Sequence, residues 1–160
     1  MIGDQGVGKT ALFWKYMEGE FVEGRTNVTT VDFKIKEVRI DDQPVKLFIW
    51  DTAGQEKYRA IISSYFNGSQ GVMVLFDLTK PDSFLSATTR WYEAVRAKCP
   101  DAVYLLVGNK SDLDVRVDER EAQEWARSHG VRYMRISVKN DVNVAECYRI
   151  ISEAIFRKPK

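Results

Sequence analysis

Gly3-Asp4-Gln5-Gly6-Val7-Gly8-Lys9-Thr10, running without a break into Ala11-Leu12-Phe13-Trp14, is the stretch from which the fold can be read. It satisfies G-x-x-x-x-G-K-[ST] and enters a helical pattern directly, the context in which that pattern marks a phosphate-binding loop. Glycines let the backbone curl so that successive amides face inward, and the helix N-terminus adds its dipole, which together make a nest for phosphate oxygens. Gly3, Gln5, Gly6, Val7 and Gly8 build that nest and Ala11 follows in the first helical turn. Lys9 sets one cation against β and γ phosphates, and the Thr10 hydroxyl has the hardness and reach to ligate Mg²⁺. A bare match would also fit a glycine-rich turn capping a helix; the Gly8-Lys9-Thr10 triplet at a loop-to-helix junction counts against that reading.

Two further elements follow in order, each at the carboxyl end of an apolar strand, where ligands of open α/β sheets bind. Asp51-Thr52-Ala53-Gly54-Gln55-Glu56 succeeds the strand pattern of residues 46–50. Asp51 is placed to hold Mg²⁺ through water, Gly54 to bring its amide close to a γ phosphate, and Gln55 to orient an attacking water. Alone, Asp-x-x-Gly after a strand is an ordinary turn. Asn109-Lys110-Ser111-Asp112, with Leu113 beside it, succeeds the strand of residues 102–107. A carboxylate at Asp112 accepts from the N1 and N2 donors of guanine, whereas adenine offers neither there and would leave the acceptor unpaired. Lys110 lies along the ring face, Asn109 ties loops together, and Ser137-Val138-Lys139, after the strand of residues 131–136, offers amides to the guanine O6.

Outward from these motifs, 160 residues fit one domain, taken as 1–160, and 44% hydrophobic content excludes disorder. Lys and Arg total 24 against 23 Asp and Glu, so no overall field draws the chain onto nucleic acid or an acidic membrane. Cys99 and Cys147 lie in helical patterns and read as free thiols of a reducing compartment, by default the cytosol. No apolar run approaches the roughly 18 residues of a membrane helix, and no leader pattern is present.

Residues 45–50, 71–76 and 102–107 read as buried strands, and residues 30–40 lead through Asp41, Asp42, Gln43 and Pro44 into the first of them as an antiparallel hairpin would. Alternation in that hairpin strand slips near Lys36 and Glu37. Phe84, Thr88, Trp91 and Val95 form one helical stripe, and Val144, Cys147, Tyr148, Ile151 and Ile155 another. Asp118 with Glu121 and Asn143 with Glu146 have capping-box spacing. Trp14, Trp91 and Trp125 read as packing residues, and His129 as a solvated helix end.

With these motifs in order, the chain resembles the Ras superfamily of small GTPases, and most closely the Rab family, over essentially its whole length. Residues 50–56 with Lys57-Tyr58-Arg59, Ser64-Tyr65-Phe66-Asn67-Gly68 and Asp32-Phe33 carry the closer likeness. The resemblance implies an α/β fold of the P-loop small-GTPase kind: a mostly parallel central sheet with one antiparallel hairpin strand, helices on both faces, and a truncated first strand. It implies a GTP/GDP switch with Mg²⁺, slow hydrolysis with Gln55 and Lys9 as catalytic residues, and a role in vesicle traffic. Phe21 stands where the family packs a phenylalanine against guanine. The partners implied are exchange factors, GTPase-activating proteins and effectors reading residues 22–33 and 54–66. Also implied are a monomer, no nucleic acid, and the cytosolic face of an endomembrane, reached through a lipidated tail that this chain does not carry.

Three departures stand against the pattern. The place of the Mg²⁺-ligating threonine in the first switch falls on Val28, with Thr29 next to it as the substitute metal ligand and Thr30 in the place of a glycine. Gln5 replaces a small residue and crowds the place of Gln55 or an incoming arginine. The chain ends Arg157-Lys158-Pro159-Lys160 with no terminal cysteine, and only Met1 and Ile2 precede Gly3, so we expect the natural protein to extend at both ends. Two readings stay open: a GTPase switch, or a GTP- or GDP-binding interaction module with little or no hydrolysis. Asp112 speaks against a third, a P-loop ATPase or kinase.

Overall fold

Apolar character without alternation makes residues 71–77 and 103–109 the buried centre of the structure. The computed structural model describes residues 1–24, 32–52 and 66–159. In chain order the elements are α1 (Lys9–Glu18), β1 (Asp32–Ile40), β2 (Gln43–Asp51), β3 (Gly71–Asp77), α2 (Pro81–Ser86), a π-helical turn (Ala87–Trp91), α3 (Tyr92–Arg96), β4 (Val103–Asn109), α4 (Glu119–Ser128), β5 (Arg132–Arg135) and α5 (Val144–Phe156).

β3 and β4 pair in parallel from Gly71 opposite Val103 to Asp77 opposite Asn109, and β5 joins the far side of β4, again parallel. Alternate residues of β3 then serve opposite faces. Val72, Val74 and Phe76 pack with Phe84, Ala87, Trp91, Val95 and Ala122, while Met73 and Leu75 pack with Leu12, Phe13, Val144, Cys147 and Ile151. Helices α2 to α4 thus cover one face, and α1 and α5 the other. This is the expected α/β arrangement, and both expected helical stripes supply its packing. Leu12 and Phe13 of α1 are wholly buried. Burial of each contributes on the order of 2 kcal/mol, which outweighs the weak intrinsic stability of a helix this short.

β1 and β2 form an antiparallel pair from Asp32 opposite Asp51 to Ile40 opposite Gln43. The turn is Asp41-Asp42 alone, with φ of 49° and 62°, the left-handed pair that a two-residue hairpin requires. Gln43 and Pro44, expected in the turn, belong instead to the strand. The slipped alternation also resolves. Phe33 and Ile35 face solvent, while Lys34 lies 4.2 Å over the ring of Trp14 and Lys36 lies 4.1 Å over that of Tyr16. The cations stay at the rim of α1 and their stems cover its aromatics, so the apolar residues are displaced outward.

Among the described residues the strands form two ladders, β3-β4-β5 and β1-β2, and Met1 with Ile2 lies between them. Ile2 donates its N–H to Met73 O at 2.9 Å and accepts from Leu75 N at 2.8 Å, while the Met1 amino group donates to Trp50 O at 3.2 Å.

Two local expectations need correction. Asp118 caps α4 by accepting from Arg120 N, but Asn143 does not cap α5. It adopts φ 59° and donates its side-chain amide to Arg135 O at 2.9 Å, so the side chain ties β5 to α5 instead. The stripe from Phe84 to Val95 is buried as expected, yet its helix winds through a π turn at Ala87–Trp91 where the spacing implied regular α-helix.

Candidate functional site

The loop before α1 holds its shape because two of its glycines stand where no side chain fits. A Cβ on Gly3, at φ 146°, would meet Leu75 O at 2.4 Å, and one on Gly8, at φ 103°, would meet Asn109 Nδ2 at 2.2 Å. The second contact marks a junction. Asn109 donates Nδ2 to Val7 O at 3.0 Å and accepts from Val138 N at 3.2 Å, so one amide at the end of β4 joins the loop before α1 to the loop after β5.

Lys9 is buried and folds back over its own loop, donating to Gly3 O and Asp4 O, each at 2.9 Å. Burial lowers its ammonium to about 8, against the pull of the Asp51 and Asp4 charges in the other direction. A lysine in that condition gains from an anion arriving beside it. Thr10 Oγ1 donates to Asp51 Oδ2 at 2.7 Å, which brings the start of α1 and the end of β2 together as a pair of hard oxygen atoms.

The loop after β4 is built around two contacts. Lys110, in left-handed conformation at φ 69°, donates Nζ to Gly6 O at 2.7 Å and pairs with Asp77 at 2.7 Å. Asp112 accepts from Ser137 Oγ at 2.6 Å, and Ser137 Oγ in turn accepts from Asn140 N at 3.1 Å, which fixes the carboxylate against the loop after β5.

These loops enclose one cleft of about 330 Å³, within the usual range of small-molecule sites. Gln5, Gly6, Gly8, Lys9, Thr10, Ala11, Phe21, Asn109, Lys110, Asp112, Leu113, Val138 and Lys139 line it. Val7, Ser137 and Asp51 are buried behind the wall, and Gly3 lies beneath the loop against β3. Thr29, Gly54 and Gln55, together with Val28, lie outside the described residues.

Reading of the sequence alone assigned no role to Asp77 or Asp4, and took Trp91 for packing only. Asp77 is 1% exposed at the carboxyl end of β3, and it also accepts from Thr79 N at 2.9 Å and Thr79 Oγ1 at 2.7 Å. The usable signal was its position, an acid directly after an apolar strand, which is the same place that Asp51 occupies. Val22, Glu23, Gly24 and Thr52 also line the cleft; of these only Val22, Glu23 and Gly24 fell within a segment that the sequence marked for partners.

The arrangement sets a glycine-rich loop with the Lys9 cation at one end of the cleft, and a fixed carboxylate beside the aliphatic stem of Lys110 at the other. Phe21 supplies an aromatic face to the same cleft. The family model for the Ras family matches residues 1–157. Ras-related protein Rab-1D of Dictyostelium discoideum is 41% identical over 150 residues, which are 92% of this chain and 74% of that protein.

Proposed function

Because the chain belongs to the Ras family and, within it, to the Rab small GTPases, we propose that its cleft binds GTP and GDP with Mg²⁺ and that the protein works as a slowly hydrolysing switch in membrane traffic. The observation that carries this reading is the convergence of three loops on one cleft through Asn109, with the Thr10–Asp51 pair at the phosphate end and the Ser137–Asp112 pair at the base end.

Base selection rests on Asp112. A carboxylate fixed by Ser137 accepts from guanine N1 and N2, and an adenine ring there leaves it unpaired. The Lys110 stem and Phe21 hold the ring, and the Lys139 amide donates to O6 while the Val138 amide stays on Asn109. At the other end, loop amides and Lys9 take up the phosphate charge.

Mg²⁺ fits the residues present. Thr10 and Asp51 offer hard oxygen donors, and no group of three or more His, Cys, Asp or Glu with metal-binding geometry occurs among the described residues. Phosphate and water then complete the shell, as Mg²⁺ prefers. When bound, the ion neutralises charge on the β and γ phosphates. Thr29 serves as the hydroxyl ligand of the first switch in place of Val28, Gly54 offers its amide to the γ phosphate, and Gln55 orients the attacking water. Little covalent chemistry is asked of the chain, so turnover without an activating protein is slow.

Exchange factors, activating proteins and effectors would read the switch segments and the outer face of the β1-β2 hairpin beside them. That face exposes Phe33, Ile35, Phe48 and Trp50, with the Phe33 and Trp50 rings 4.5 Å apart, and an apolar patch of this kind marks an interaction surface. The nucleotide reading treats residues 1–160 as one domain. No helix among the described residues is long and apolar enough to cross a membrane. The family resemblance, independently, suggests attachment to an endomembrane through a lipidated tail.

A second reading is favoured by Val28 and Gln5: an interaction module that holds guanine nucleotide and barely turns it over. Single-turnover hydrolysis with and without Gln55→Leu separates the two. A measurable rate that the substitution abolishes supports the switch, and equal negligible rates support the module.

A further inference from the structure

The helix that covers one face of β3 reaches the phosphate loop through Trp91. Trp91 Nε1 donates to Asp4 Oδ1 at 2.8 Å, across 87 residues of sequence. Trp91 is 1% exposed and is the last residue of the π turn at Ala87–Trp91. A π turn inserts one residue into helical winding, worth about 100° of rotation, and such insertions collect at functional sites. This one is supported by side chains. Thr88 Oγ1 donates to Phe84 O at 2.9 Å, and Thr89 Oγ1 donates to Leu85 O at 2.7 Å, so carbonyls of α2 at the bulge are satisfied.

Asp4 is a node of the loop. Its carboxylate takes the indole N–H, while its carbonyl accepts from Lys9 Nζ at 2.9 Å and from Val7 N at 3.5 Å, the bond that closes the turn from residue 4 to residue 7. Holding the carboxylate therefore holds the peptide on which the first turn of the loop and the resting position of Lys9 both depend. Trp91 does not line the cleft: its ring packs in the core of that face, and its indole N–H adds one polar contact to the loop.

We propose that Trp91 is a positioning residue for nucleotide binding: through the Asp4 carboxylate its indole fixes the opening turn of the phosphate loop and slows release of the bound nucleotide. The proposal rests on the reading of the cleft as a guanine-nucleotide site. It makes the helix of residues 81–96 a further support of the loop, beside Asn109 and Lys110.

The test is the dissociation rate of N-methylanthraniloyl-GDP from wild-type protein and from Trp91→Phe, Asp4→Leu, Asp4→Asn and the Trp91→Phe/Asp4→Leu double variant. Phenylalanine keeps an aromatic ring of smaller size and removes the donor, leucine removes the acceptor without touching the core, and asparagine keeps an acceptor oxygen. We expect Trp91→Phe and Asp4→Leu each to speed release about tenfold, the scale of one buried hydrogen bond to a charged acceptor, with no further gain in the double variant and near-normal release from Asp4→Asn. Release from Trp91→Phe within about twofold of wild type, or additive effects in the double variant, overturns the proposal. Should Trp91→Phe fail to fold, the contrast between Asp4→Leu and Asp4→Asn decides alone, and equal rates from those two overturn it. Wild-type protein that takes up no guanine nucleotide overturns the underlying reading, and the proposal with it.

Discussion

Asp77 and Lys110 form a half-buried ion pair at 2.7 Å beneath the base end of the cleft, and the same ammonium reaches across to Gly6 O. β3 and β4 run in register so that Asp77 lies opposite Asn109, which puts the acid beside the next residue of the base loop. Lys110 is thereby stretched flat between the phosphate loop and the strand end, with its stem along the cleft wall. Removing the charge should free it. We predict that Asp77→Asn costs about 2 kcal/mol of stability in urea, since the buried carboxylate is the charged acceptor for Lys110 and Thr79, and the partly exposed ammonium loses its partner. GDP release should quicken in the same variant. An unchanged urea midpoint would mean that the pair contributes nothing.

Acid titration tests the same pair differently. Burial pushes the Asp77 carboxyl up, but hydrogen bonds from Lys110 and Thr79 outweigh it and hold the group below the usual carboxylate range. A group whose folded value is depressed lends stability that is complete above its unfolded value, about 4, and that is lost as pH falls through the folded value. Between pH 6 and pH 2 the wild-type urea midpoint should therefore fall more steeply than that of Asp77→Asn. Parallel curves would contradict the assignment.

Gly8 makes a sharper structural prediction. An alanine there carries a Cβ 2.2 Å from Asn109 Nδ2 and must also hold φ at 103°. Gly8→Ala should cost about 2 kcal/mol, from a strained backbone and a displaced buried amide, and nucleotide binding should fall with it. Thermal melting together with GDP titration checks both. Gly6, with open space around its Cβ position, should tolerate alanine better, although its φ of 81° still exacts some strain.

Much of this site was legible in the chain because its parts are local. Gly3 to Thr10, Asp51 to Gln55 and Asn109 to Asp112 are runs of neighbours whose chemistry survives without knowledge of the fold. Asp77, Asp4 and Trp91 were not legible. Their roles come from strand register and from a contact between residues 4 and 91, and a lone acid or tryptophan carries no spacing to read. Asn143 misled for a related reason: its spacing to Glu146 fits a cap, but the nearby Arg135 carbonyl competes for the side chain and takes it. The slip in the hairpin's alternation was visible but not its cause, because the cover that Lys34 and Lys36 give to aromatics of α1 is a tertiary contact with no spacing to read.

Ser137 bears on base choice. Its hydroxyl orients Asp112 at 2.6 Å without needing to touch a ligand. Ser137→Ala should weaken GDP binding by about tenfold, the scale of one hydrogen bond to a charged group, with a modest fall in melting temperature because the Asn140 amide also loses its acceptor. Equal affinity for GDP in both proteins would show that Asp112 holds its position unaided.

The central claim is that these loops select a guanine nucleotide, and the nucleotide carried by the purified protein tests it most directly. Protein isolated in Mg²⁺ and then denatured should release GDP or GTP close to one per chain, identified by chromatography against standards. Release of adenine nucleotide, or of none even after loading with excess GTP, would contradict the account.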